Sequence, residues 1–117
     1  MIILKYSKNS VVAIDLTDNG QIIINATDLL KNLPGKTVND FFNEILTQNL
    51  INQLKTEKPD QELTKEGSSY CPGIWMIDKL ALLFAVWLDF KFYSWLIEEL
   101  EKYILVNHRS IERMRGN

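Results

Sequence analysis

The side chains best suited to chemistry in this chain are carboxamides. Asn39, Asn43, Gln48, Asn49, Asn52 and Gln53 crowd into residues 39–53. A carboxamide carries a donor and an acceptor side by side, so Asn or Gln can bond bidentately to adenine in a major groove. The same residues also suit an ordinary solvated helix face. Base contacts need phosphate contacts to hold them in register. Lys31 and Lys36 flank Pro34-Gly35 and are candidates for that task. The most basic local segment is the C-terminal one, where His108, Arg109, Arg113 and Arg115 face only Glu112. Cations there also complement the dipole of a helix C-terminus without any ligand.

Other chemistries find little support. Cys71 is the single cysteine and His108 the single histidine, far apart in sequence. Neither has the Cys, His or carboxylate spacing of a metal site. Gly-rich phosphate loops and paired-carboxylate motifs are missing from the sequence. We therefore expect no catalytic residue, no metal and no cofactor, and set the enzyme class aside.

The chain's length of 117 residues fits one domain. Apolar residues at 46% against 24% charged describe a globular chain rather than a disordered one. The formal net charge of −2 leaves no global basic field, so any nucleic-acid role must rest on a local patch. One cysteine excludes an internal disulfide. No signal peptide and no apolar run of about 18 residues is evident, so the expectation is a soluble cytoplasmic protein with no membrane partner.

The candidate residues must be held by structural elements, and these can be traced in order. Residues 2–6 and 11–16 are β-branched and apolar, with Lys8-Asn9-Ser10 as a turn. Asp18-Asn19-Gly20 supplies the positive φ of a second turn, and 21–24 form a third strand. Asn25 and Asp28 resemble a capping box before a short helix carrying Leu29, Leu30 and Leu33, which Pro34-Gly35 ends. Thr37 caps the next helix, where Val38, Phe41, Phe42, Ile45 and Leu46 make one apolar stripe. Leu50, Ile51 and Leu54 make a second stripe after a break near Thr47. Residues 55–72 are polar and broken by Pro59, Gly67 and Pro72, which predicts a long surface loop. A strand at 73–76 joins the sheet.

The densest apolar block follows. Asp78 caps a helix over 79–88 that is too apolar to face water on any wide side. Asp89 caps a long last helix over about 90–114. Trp75, Trp87 and Trp95 sit among apolar neighbours and are expected in the core. The expected fold is α+β. A small antiparallel sheet packs with about four to five helices, the last one long. It is a single domain over 1–117, with 104–117 as a helical extension.

Two separated segments carry a family resemblance. Ile24-Asn25-Ala26-Thr27-Asp28-Leu29-Leu30 resembles the strand-to-helix signature of the KilA-N domain. Gly73-Ile74-Trp75-Met76, then Leu80-Ala81 and Trp87-Leu88-Asp89, is similar to that family's second signature. Phe90, Phe92, Tyr93 and Trp95 match its following aromatic positions. The resemblance spans about 18–100. KilA-N domains occur in phage, prophage and large DNA-virus proteins, including antirepressor-type ones. The resemblance implies an α+β domain similar to the DNA-binding domains of fungal cell-cycle transcription factors, its helices approaching DNA, with no catalytic residue or cofactor to carry over.

The sequence departs from that family in two places. The basic residues usual in the second helix are missing after Lys36, and Ile74 replaces the threonine of Gly-Thr-Trp. Over residues 25–55, Lys31, Lys36 and Lys55 balance Asp28, Asp40 and Glu44, a net charge of zero. Two functional expectations result. One is a phage or prophage regulatory module binding duplex DNA through Lys31, Lys36, Asn39, Asn43, Gln48 and Asn49, helped by Arg109 and Arg113. The other is a protein-interaction module on the same fold, binding a repressor or a host defence protein. In either case the outer half of the last helix is expected to support a homodimer.

Overall fold

A computed structural model describes residues 1–7, 10–31, 35–70 and 72–115, with side chains described as far as Lys102. Among the described residues the chain forms five strands and five helices. The strands β1 (Ile2–Ser7), β2 (Ser10–Leu16) and β3 (Ile22–Asn25) run as an antiparallel meander. Strand β1 alternates: Ile2, Leu4 and Tyr6 are half-buried, while Ile3, Lys5 and Ser7 are exposed. Period-two patterning of this kind marks a sheet covered on one face only. The second turn closes where the Gly20 N–H donates to the Thr17 carbonyl, with Gly20 at φ 82°. No described residue other than glycine has positive φ, so Gly20 alone supplies it and Asn19 does not.

Helix α1 (Ala26–Leu30) follows β3 directly, and the Asn25 side chain caps it by accepting from the Asp28 N–H. Asp28 does not reach back as a capping box requires. Its carboxylate instead accepts from the Ala13 N–H of β2 at 2.9 Å. Leu33 and Pro34 lie outside the described residues.

Helix α2 (Val38–Phe42) is capped by Thr37, whose hydroxyl accepts from the Asp40 N–H at 3.1 Å. It stops after five residues, and helix α3 (Ile45–Glu57) starts afresh. The break therefore falls at Asn43-Glu44 rather than near Thr47. This corrects the single stripe expected over 38–46. Phe41 is fully buried, but Ile45 is 77% exposed and Leu46 71% exposed. The two-residue turn rotates α3 so that Thr47, Leu50, Ile51 and Leu54 face inward at i, i+3, i+4 and i+7.

The expected loop over 55–72 holds more structure than its composition indicated. Helix α3 runs into it as far as Glu57, and strand β4 (Thr64–Glu66) forms within it. Strand β5 (Ile74–Ile77) pairs with both β4 and β3, giving a sheet of order β1-β2-β3-β5-β4. Leu63 anchors the segment in the core, and its carbonyl accepts from the Ile77 N–H at 3.1 Å.

Helix α4 (Asp78–Leu88) buries Leu80, Ala81, Phe84, Ala85 and Leu88. Its N-cap is Ile77, with Asp78 in the first turn. The Asp78 carboxylate accepts from the Lys79 N–H and from the Gln21 side chain instead of capping. Helix α5 (Phe90–Arg115) begins behind Asp89, whose carboxylate accepts from the Lys91 N–H at 2.9 Å. Its inner side places Phe92, Leu96 and Leu100 in the core, and Phe92 stacks on Tyr6 of β1 at 4.3 Å. No described helix is long and apolar enough to cross a membrane.

Candidate nucleic-acid interface

Two hydrogen-bonded knots position the helices that carry the candidate residues. The first joins the two signature segments. Asn25 is buried, and its amide donates to the Pro72 carbonyl while its oxygen caps α1. The Thr27 hydroxyl accepts from the Ile74 N–H at 3.0 Å. Gly73 passes between them at φ 120°, where an added Cβ would lie 2.9 Å from the Thr27 side chain. Only glycine allows the chain that close approach. The start of α1 is thereby locked to β5, and Lys31 is carried at the end of α1.

The second knot holds the α2–α3 turn against the end of α4. Phe41 meets Phe84 edge-on at 4.8 Å, and Trp87 lies 5.7 Å from Phe41. The Trp87 indole N–H donates to the Glu44 carboxylate at 3.3 Å. Lys36 places its ammonium 4.7 Å above the Trp87 ring and donates to the Trp87 carbonyl at 2.9 Å. Trp75 is buried as expected, while Trp87 and Trp95 are only half-buried. Trp87 thus acts as a bracket at the surface as much as a core residue.

The expected contact residues divide by what they already do. Lys31 lies 3.3 Å from the Asp28 carboxylate, which offsets part of its charge. Lys36 has spent one of its three donors on the end of α4. The Gln48 amide donates to the Phe42 carbonyl and so closes α2 against α3. Asn39, Asn43 and Asn49 are exposed. The side chains of Arg109 and Arg113 lie outside the described residues, as does Cys71. Among the described residues, no group of three or more His, Cys, Asp or Glu converges as a metal site would.

The amides on the outward side of α3 were expected from sequence, but the exposed Ile45 and Leu46 beside them were not. Opposite the buried stripe lie Ile45, Asn49, Asn52 and Thr56 at i, i+4, i+7 and i+11, all exposed. Leu46 and Gln53 flank them on one side, and Gln48 and Lys55 on the other. Taking 38–46 as one uninterrupted helix hid this aliphatic part, because it turned Ile45 and Leu46 inward. The signal available in sequence was Thr47, a small polar residue at i−3 from Leu50 and i−7 from Leu54.

The family model of the KilA-N domain matches residues 5–105. The chain belongs to the KilA-N domain family, a DNA-binding family that is not typically catalytic. No curated protein and no solved structure is detectably similar to it.

Proposed function

We propose that the chain is a non-catalytic DNA-binding module of a phage or prophage regulatory protein, acting in the host cytoplasm and approaching duplex DNA with α3. The exposed amide-bearing face of α3, braced by the Trp87 bracket, is the observation that carries this reading. In helix-turn-helix proteins the second helix enters the major groove with its first turns against the bases. Lys31 and Lys36 precede α2 and would meet the backbone, joined by Arg109 and Arg113 from the outer part of α5. Asn39 and Asn43 flank the turn, and Asn49 projects from α3. Gln48 supports them through its bond to Phe42.

The test is a titration of duplex DNA at several salt concentrations. With about four phosphate contacts, log K falls with log salt at a slope of about −3.6, and a fourfold rise in salt weakens binding about 150-fold. Failure to bind any duplex at low salt would refute the proposal.

The charge balance across residues 25–55 favours a second reading. A neutral surface suits a protein partner, such as a repressor or a host defence protein, better than a polyanion. Helix α5 continues as backbone to Arg115, and a second copy pairing along it would make a homodimer. Light scattering at concentrations well above micromolar checks that assembly, and a purely monomeric mass refutes it.

A further inference from the structure

We propose that α3 reads A·T base pairs, with Ile45 and Leu46 packing on thymine methyl groups and Asn49 bonding adenine. This deepens the DNA reading above and rests on it. Two large aliphatic side chains exposed at 77% and 71% on adjacent positions of one helix call for an explanation. The turn at Asn43-Glu44 rotates both out and turns Thr47 inward in their place. They open the same outward face on which Asn49 follows one turn later and Asn52 two turns later.

The chemistry of the two halves of this face converges. The thymine C5-methyl is the apolar mark in the major groove, and aliphatic side chains recognise it by contact. Adenine, its partner, presents the N7 acceptor and N6 donor that an Asn carboxamide matches. Glu44, the nearest carboxylate in sequence, accepts from the Trp87 indole N–H. Along the chain the aliphatic pair is flanked by the exposed Glu44 and, past the buried Thr47, by the exposed amides Gln48 and Asn49, so the apolar stretch is two side chains long. A specific protein interface buries about 800 Å² per partner, far more than such a pair supplies.

The experiment selects sites from a pool of randomised duplexes with the full chain at low salt. The enriched sites are then remade with deoxyuridine in place of thymidine, which removes the methyl alone. The expected result is sites containing A·T pairs, with binding weakened about fourfold for each contacted methyl removed. The Ile45→Ser/Leu46→Ser variant, which alters exposed positions only, is expected to bind thymidine and deoxyuridine duplexes equally. Asn49→Ala is expected to lose about fivefold or more at the adenine position. Enriched duplexes that bind equally well with deoxyuridine, or sites made of G·C pairs alone, overturn the inference while leaving the DNA reading intact. So does an Ile45→Ser/Leu46→Ser variant that keeps full affinity and thymine preference, which would turn the pair toward a protein. Absence of binding to any duplex overturns both the inference and the reading beneath it.

Discussion

Replacing Gly73 with alanine strikes the point where the two signature segments cross. The residue sits at φ 120°, outside the region an L side chain normally adopts, and backbone strain there costs about 1–3 kcal/mol. The new Cβ would also lie 2.9 Å from Thr27 Cβ and Oγ1 and 3.0 Å from Asn25 Oδ1. To escape, Thr27 must withdraw and leave the Ile74 N–H without its acceptor, which costs about 1–3 kcal/mol more. The expected total is about 2–6 kcal/mol, against a domain stability of about 5–15 kcal/mol. At about 4 °C per kcal/mol for a domain of this size, the melting temperature falls by about 8 °C or more. Urea unfolding followed by tryptophan fluorescence measures the loss, and an unchanged m-value certifies that stability alone has moved. Gly20→Ala is the control. It meets nothing within 4 Å at φ 82°, so it carries strain without collision and is expected to lose about 1–2 kcal/mol. If Gly73→Ala costs no more than Gly20→Ala, the close approach to Thr27 is not what makes glycine necessary here.

Three further outcomes follow from the same geometry. Leu46→Ala is expected to change stability by less than about 0.5 kcal/mol, whereas Leu54→Ala, from the buried side of α3, should cost about 2–5 kcal/mol. Equal costs in denaturant titrations would show that α3 is not rotated by the turn at 43–44. Trp87→Phe keeps a ring against Phe41 and Phe84 but removes the bond to Glu44, so it should lose about 0.5–1.5 kcal/mol. A Glu44→Ala/Trp87→Phe double-mutant cycle tests this, and strict additivity would mean that the bond contributes nothing. Lys36→Gln should shallow the salt slope of duplex binding by about 0.9, and an unchanged slope would remove Lys36 from the phosphate contacts.

Much of the scaffold was legible because its signals are local. Asn25, Thr37 and Asp89 announce helix starts through side chains that bond to backbone a few residues away. Gly20 announces a turn through its own φ. The apolar density of 78–88 requires burial whatever surrounds it. Strand β4 was not legible, since Thr64-Lys65-Glu66 is a fully exposed edge with no apolar alternation. Only its register against β5 makes it a strand.

By itself the sequence determined the fold class, the order of the main elements and, through Asn25–Leu30 and Gly73–Trp75, the family. These depend on capping, period and side-chain volume, which act over a few residues. The stripe of Leu50, Ile51 and Leu54 already set the inward side of α3, but the tertiary structure alone decided that the helix starts afresh at Ile45 and carries Ile45 and Leu46 outside. A rotation of one helix depends on where Phe41, Phe84 and Trp87 meet, and on Glu44 bonding Trp87 from 43 positions away. It also decided that Lys36 braces the end of α4 while Asn49 stands free in sequence with two exposed aliphatics, since no local pattern records what lies across a packed interface.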